Sequence, residues 1–195
     1  MKTARKALML ILCAALLVSA TVMGTLAYLT SQDTVINTFS VGKVEITLTE
    51  ALVGENGKKI DGDRVKANAY KLYPGKEYDK DPTVFVDDES EDCYIYVTVA
   101  NGISEIEGGT TIADQMATKG WTEIGNTGVY TDGKVHKAND KVVVFEHFTI
   151  ASTVKSVSEY QSAQIVVKAY AIQKEGFTNA TAAWDVAKGD LGFTA

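Results

Sequence analysis

"TVFVDDESEDCYIYVTVA", residues 83–100, places two runs rich in Val, Ile, Tyr and Thr on either side of five acids and a serine. Short β-branched and aromatic runs bounded by a polar cluster read as two strands joined by a turn. Strand side chains alternate between faces. Cys93, Ile95, Val97 and Val99 therefore share one face, and Tyr94, Tyr96 and Thr98 the other. The first face is expected to be core, with Cys93 as a small buried residue. The tyrosine face reads as a surface packed under an insert or paired across strands, ahead of an exposed ladder for stacking sugars.

The same pattern extends outward. Val44, Ile46 and Leu48 alternate with Lys43, Glu45 and Thr47, a half-buried strand over residues 43–49. Upstream, Val35, Phe39 and Val41 keep the odd register. The apolar face changes parity across Gly42, so a bulge or bend is expected there and residues 34–41 form a separate strand. Turns are expected at Asn56-Gly57, Asp61-Gly62 and Pro74-Gly75. "GVYTDGKVH" (128–136) reads as a hairpin turning at Asp132-Gly133. "KVVVFEHFTI" (141–150) and "SAQIVVKAYAIQ" (162–173) read as long strands. "GTTIADQMATKG" (109–120) and "TNATAAWDVAKG" (178–189) read as short helices. Thr110 or Thr111 would cap the first and Thr178 or Asn179 the second, with Gly120 and Gly189 as stops. Many short strands with regular turns and two helical inserts predict a mainly β domain, a sandwich or a barrel.

The amino terminus has a different character. Lys2, Arg5 and Lys6 are the only charges before Asp33, and "ALMLILCAALLVSATVM" (7–23) is apolar or small. A basic start, an apolar core and small residues at the exit describe a secretory signal peptide. Thr25 and Ala27 supply the small pair a signal peptidase accepts, which places the cut before Tyr28. The alternative is an uncleaved anchor. Its apolar stretch, residues 7–23, sits at the low end of what spans a bilayer, which needs about 20 residues, and no basic cluster follows it. The expected organisation is a signal peptide over 1–27, an amino-terminal segment over 28–41 and a β domain over 42–195. Membrane association is expected only through the uncleaved signal peptide.

Removing residues 1–27 takes three of the 19 Lys+Arg and none of the 25 Asp+Glu, leaving 168 residues with a net charge of −9. So acidic a chain lacks the positive field that nucleic acid or anionic lipid requires. Cys13 leaves with the signal peptide, and Cys93 alone forms no internal disulfide. An exported chain without disulfides suits a Gram-positive-type cell surface.

Chemistry-bearing motifs are sparse. A catalytic zinc uses three protein ligands, whereas the chain has two histidines, His136 and His147, and no H-E-x-x-H. Both are expected as partly exposed strand residues, with Glu146 and His147 pointing to opposite faces. Cys93 has no obvious histidine partner, and no G-x-S-x-G elbow or phosphate loop occurs. Gly108-Gly109-Thr110 reads as a plain helix start. The acids of residues 87–92 lack the glycine and spacing of a calcium loop and read as a solvated turn. No catalytic, metal or cofactor site is expected.

Three stretches, "MGTLAYLTSQDTVINTFSVGKVEITLTE" (23–50), "LYPGKEYDKDPTVFVDDESEDCYIYVTV" (72–99) and "AYAIQKEGFTNATAAW" (169–184), resemble the TasA/camelysin (CalY) family of exported proteins. The shared features are an apolar run, Gly24-Thr25, Ala27, a short polar segment, an aromatic (here Phe39) and a glycine-containing bend into a strand. The resemblance implies a jelly-roll-like β-sandwich, processing by a SipW-type signal peptidase, and a place at the cell surface or in a biofilm matrix. It implies fibres in which one subunit's amino-terminal strand completes the next subunit's sheet, with an accessory matrix subunit as a further partner. In that reading Val35, Phe39 and Val41 are donor side chains and Gly42 is the hinge. The tail is too apolar to stay free in water, so it either enters a neighbour or packs at home as an edge strand. The family also leaves open a camelysin-like metallopeptidase. A monomeric adhesion or carbohydrate-binding module is a third reading. Residues 102–162 carry no part of the resemblance.

Overall fold

The computed structural model describes residues 2–29, with side chains for residues 3–18, and residues 42–193. These belong to two separate compact units. The first holds one helix, α1 (Lys2–Leu29). Its leucines, methionines and alanines are strong helix formers, and no proline interrupts them. Leu8, Leu10, Leu12 and Leu17 are exposed on its surface. Among the described residues no helix is long and apolar enough to cross a membrane.

The second unit is mainly β, and its strand pairs are antiparallel. Its strands are β1 (Ile46–Val53), β2 (Lys59–Val65), β3 (Glu77–Asp79), β4 (Thr83–Val86), β5 (Cys93–Asn101), β6 (Thr122–Glu123), β7 (Val129–His136), β8 (Lys141–Val143), β9 (His147–Thr149) and β10 (Ile165–Gln173). One sheet has the order β2-β1-β4-β8, a second β10-β5-β7-β6, and β3 pairs with β9. Val84 and Val86 of the first sheet share a buried core with Cys93, Ile95 and Val97 of the second and with Tyr78 and Phe148 of the β3–β9 pair.

β5 holds this arrangement together. Its odd-numbered apolar residues enter the shared core as expected. Its tyrosines enter a second core beneath α3 (Ala180–Ala187). Tyr96 Oη donates to the Ala180 carbonyl at 2.7 Å, and its ring lies 5.1 Å from that of Trp184. The tyrosine face is therefore covered by an insert rather than presented as an aromatic platform. α3 is capped by Asn179, whose Oδ1 accepts from Ala182 N at 2.9 Å. α2 (Ile112–Thr118) starts in a capping box of Thr111 and Asp114. It ends at Gly120, where φ is +92°.

Other expectations hold locally. The Lys76 amide donates to the Tyr73 carbonyl across Pro74-Gly75, with Gly75 at φ +75°. Gly57 closes the β1–β2 turn at φ +73°, and a Cβ there would come 2.5 Å from the Tyr78 ring.

Three expectations are corrected. Asp61-Gly62 lies inside β2 rather than in a turn. Asp132-Gly133 lies inside β7, where residues 132–134 bulge opposite Ile95. Gly133 takes φ +70°, and Thr131 Oγ1 donates to the Ile95 carbonyl at 2.9 Å. The Asp-Gly pair thus makes a bulge instead of a chain reversal. The stretch 141–150 is two strands, because Val144 and Phe145 are both fully buried and a regular strand cannot bury successive side chains on one face. The chain breaks there and passes from β4's edge to pair with β3.

Candidate functional site: a groove at the edge of two sheets

One depression among the described residues is a groove of about 1230 Å³, above the roughly 300–1,000 Å³ of small-molecule pockets. It is built where β1 loses a neighbour. Glu50 pairs with Val65 and Ala51 with Arg64, a register that would set Leu48 opposite Ala67. β2 ends at Val65, however, and the chain departs. The Asp87 amide donates to the Glu45 carbonyl, so odd-numbered groups here face β4. The main-chain groups of Ile46 and Leu48 point the other way, while their side chains pack on the shared core.

The opposite wall is β10. The Gly102 amide donates to the Gln164 carbonyl at 2.9 Å and the Lys174 amide to the Asp92 carbonyl at 2.7 Å. Even-numbered groups of β10 therefore face β5, and those of Ile165 and Val167 face outward. Among the described residues β5 is the only strand paired with β10. β1 and β10 approach one another without sharing a ladder. Leu48, Tyr70, Leu72, Tyr160, Ile165 and Val167 line the groove and are only partly buried. It is thus an incompletely covered part of the core between two strand edges.

The groove is polar at defined points. Glu50 and Lys80 form a buried ion pair in its lining, and Asn68 Nδ2 donates to Glu50 Oε1 at 2.9 Å. Tyr70 Oη donates to the Asp79 carbonyl at 3.0 Å. Burial, helped by Glu50 and Asp81, pushes its phenol well above the usual range. Lys66 Nζ donates to the Leu48 carbonyl at 2.8 Å. Only the edges of the segments that make these walls were marked in the sequence, by the Pro74-Gly75 turn with the stretch 72–99 and by the start of the strand 162–173; residues 66–71 and 155–161 carried no motif.

A second, shallower depression of about 430 Å³ includes Trp121, Asp132, His136 and Asp140. His136 Nε2 lies 3.1 Å from Asp132 Oδ1, and Nδ1 lies 3.8 Å from Asp140 Oδ2. The carboxylates sit on opposite ring nitrogens, an arrangement that orients the ring rather than chelates one ion. Burial raises the Asp132 carboxyl, but its bonds from His136 and the Lys134 amide win and hold it below the ordinary value. The structure corrects two expectations here. His136 is buried, not partly exposed, and it stands opposite Cys93 in the β5–β7 ladder. Cys93 is fully buried, and burial, with Asp92 and Asp140, pushes its thiol up to about 11. Such a thiol is not a ready nucleophile.

His147 lies on β9, with Nε2 4.0 Å from Glu77 Oε2. Among the described residues no group of three or more His, Cys, Asp and Glu side chains is gathered to hold a metal ion. The acidic turn 87–92 is tied back by Ser90, whose amide donates to the Asp87 carbonyl at 3.2 Å and whose Oγ accepts from the Glu45 amide at 3.2 Å.

Thr25, Ala27 and Tyr28 fall in the last turns of α1. Val35, Phe39 and Val41 lie outside the described residues. Gly42 is exposed and does not have a positive φ. A Cβ there would come 2.9 Å from Glu91 Cγ, so close approach of a flexible side chain, not a left-handed bend, marks this glycine. Compared with protein-family models, curated proteins and solved structures, the chain matches none of them.

Proposed function

We propose that this chain is an exported structural protein of a Gram-positive-type cell surface or biofilm matrix, a jelly-roll-like β-sandwich of the TasA/camelysin kind. In this reading residues 1–27 are a signal peptide removed by a SipW-type peptidase after Ala27. Residues 34–41 of one copy then enter the β1–β10 groove of the next, with Phe39 as anchor. One observation carries the reading: two outward-facing strand edges flank a partly covered core where β2 stops. An added strand gains main-chain bonds from such edges and specificity from alternate side chains. The tail's apolar residues, Val35, Phe39 and Val41, have the alternation that such a site accepts. The groove also exceeds the size of a small-ligand pocket.

The test is to recover the protein from the medium of a producing cell, sequence its amino terminus and image it by negative-stain electron microscopy. Chains that begin at Tyr28 and form fibres, with fibres lost on deleting residues 28–41, are the expected result. A monomer at high concentration, or fibres that survive the deletion, would overturn the proposal.

A further inference from the structure

The groove contains a side chain placed where an incoming strand would bond. Glu50 opposite Val65 implies Leu48 opposite Ala67, and in a continued ladder the Ala67 amide would donate to the Leu48 carbonyl. The chain turns away after Val65. The ammonium of Lys66 occupies that position instead, 2.8 Å from the Leu48 oxygen. Lys66 itself is exposed, so its charge stays hydrated while it satisfies the carbonyl. Lysine on a strand edge is a common device against uncontrolled pairing, because another chain must displace a charged group before it can add. Arg64, also exposed, is on β2, and its side chain reaches Thr49 of β1 and Asp81 instead. Its guanidinium braces the hairpin, which leaves Lys66 as the side chain on the Leu48 carbonyl.

We propose that Lys66 is the gate of the acceptor groove: its ammonium closes the β1 edge at Leu48 and must swing out before the donor strand of another copy can bond there. This inference rests on the proposed strand exchange and adds its regulation. The ammonium holds the site against weak or out-of-register strands. A donor whose apolar side chains fill the groove offsets the lost bond through buried area.

The test uses the full chain in mild detergent and a fluorescent peptide of residues 28–41, with binding read by anisotropy and on-rate by stopped flow. Lys66→Met keeps the aliphatic stem and removes the ammonium. It should bind the peptide about threefold to tenfold tighter, the range of one hydrogen bond that no longer has to be broken. Lys66→Arg keeps a charged donor and should bind as the parent does. Thermal unfolding of each variant identifies any change that is only structural. Equal or weaker peptide binding by Lys66→Met than by the parent would overturn the gate and leave strand exchange standing. Peptide binding by none of the three proteins would overturn strand exchange and the gate together.

Discussion

Cys93 stands directly across from His136 in the β5–β7 ladder, and both side chains are buried. Cysteine beside histidine is the arrangement of many thiol nucleophiles, but reactivity needs a thiolate. Here burial and the nearby acids Asp92 and Asp140 push the thiol up to about 11. The imidazole is held by Asp132 at 3.1 Å. Cys93 is therefore expected to resist iodoacetamide at pH 8 in the folded protein and to react readily in urea. Peptide mass mapping separates it from Cys13. Rapid modification of the folded protein would mean that the face opens and that the thiol is available for chemistry.

Tyr96 and Trp184 join the α3 insert to the back of β5. Trp184 is 1% exposed and packs against Tyr96 and Phe193. Trp184→Ala should cost about 3–5 kcal/mol, the usual range for emptying a large aromatic site. Tyr96→Phe removes the donor to the Ala180 carbonyl and should cost about 1–3 kcal/mol. Urea unfolding measures both. Losses under 0.5 kcal/mol in both variants would mean that α3 contributes no stability to the sheet.

β5 was legible because residues 93–100 form an unbroken run of strand-forming residues between two polar boundaries. The caps were legible to within one residue, as Thr110 or Thr111 and Thr178 or Asn179, since capping depends on local sequence; the structure selects Thr111 and Asn179. The break at residues 144–146 was not, because "VVVFEHF" contains no turn residue and only tertiary burial of Val144 and Phe145 together forces the chain to cross. Asp132-Gly133 shows a related limit. The positive φ was readable, but whether it reverses a strand or bulges it depends on β5 alongside. The groove was least legible. Lys66 acquires its role from the point at which β2 stops, a consequence of register that no local pattern records.

Asp81 makes stability at the base of the β1–β2 hairpin depend on pH. Burial alone would raise its carboxyl. The Ala51 amide at 2.7 Å, Lys59 at 3.1 Å and Arg64 at 3.3 Å override that and hold it below the ordinary carboxylate value. A carboxyl depressed by folding contributes stability that is fully present above its unfolded value, about 3.9, and is lost as pH falls through its folded value. Asp81→Asn should therefore be less stable than the parent at pH 7, and the gap should close as pH falls below about 4. Urea midpoints at a series of pH values test this. A gap that widens with acid would reverse the sign of the argument.

Glu50 and Lys80 raise a sharper question, because their buried ion pair lines the groove. Their side chains are 6% and 10% exposed. Taking two charges out of water is costly, and their attraction recovers the loss only when the remaining polar atoms are bonded. Asn68 supplies one such bond to Glu50, and the Lys80 amide is fixed to the Glu146 carbonyl at 3.0 Å. Removing one partner strands the other, so Lys80→Met alone and Glu50→Gln alone should each cost about 3 kcal/mol or more. The double variant removes both charges and should lose clearly less than the sum of the two, giving a coupling energy above about 1 kcal/mol in a double-mutant cycle. Urea unfolding of the four proteins supplies the cycle. Additive losses would show that solvent reaches the pair and that this wall of the groove is wet. Strong coupling would show that the wall is dry, the condition under which an added strand gains most from covering it.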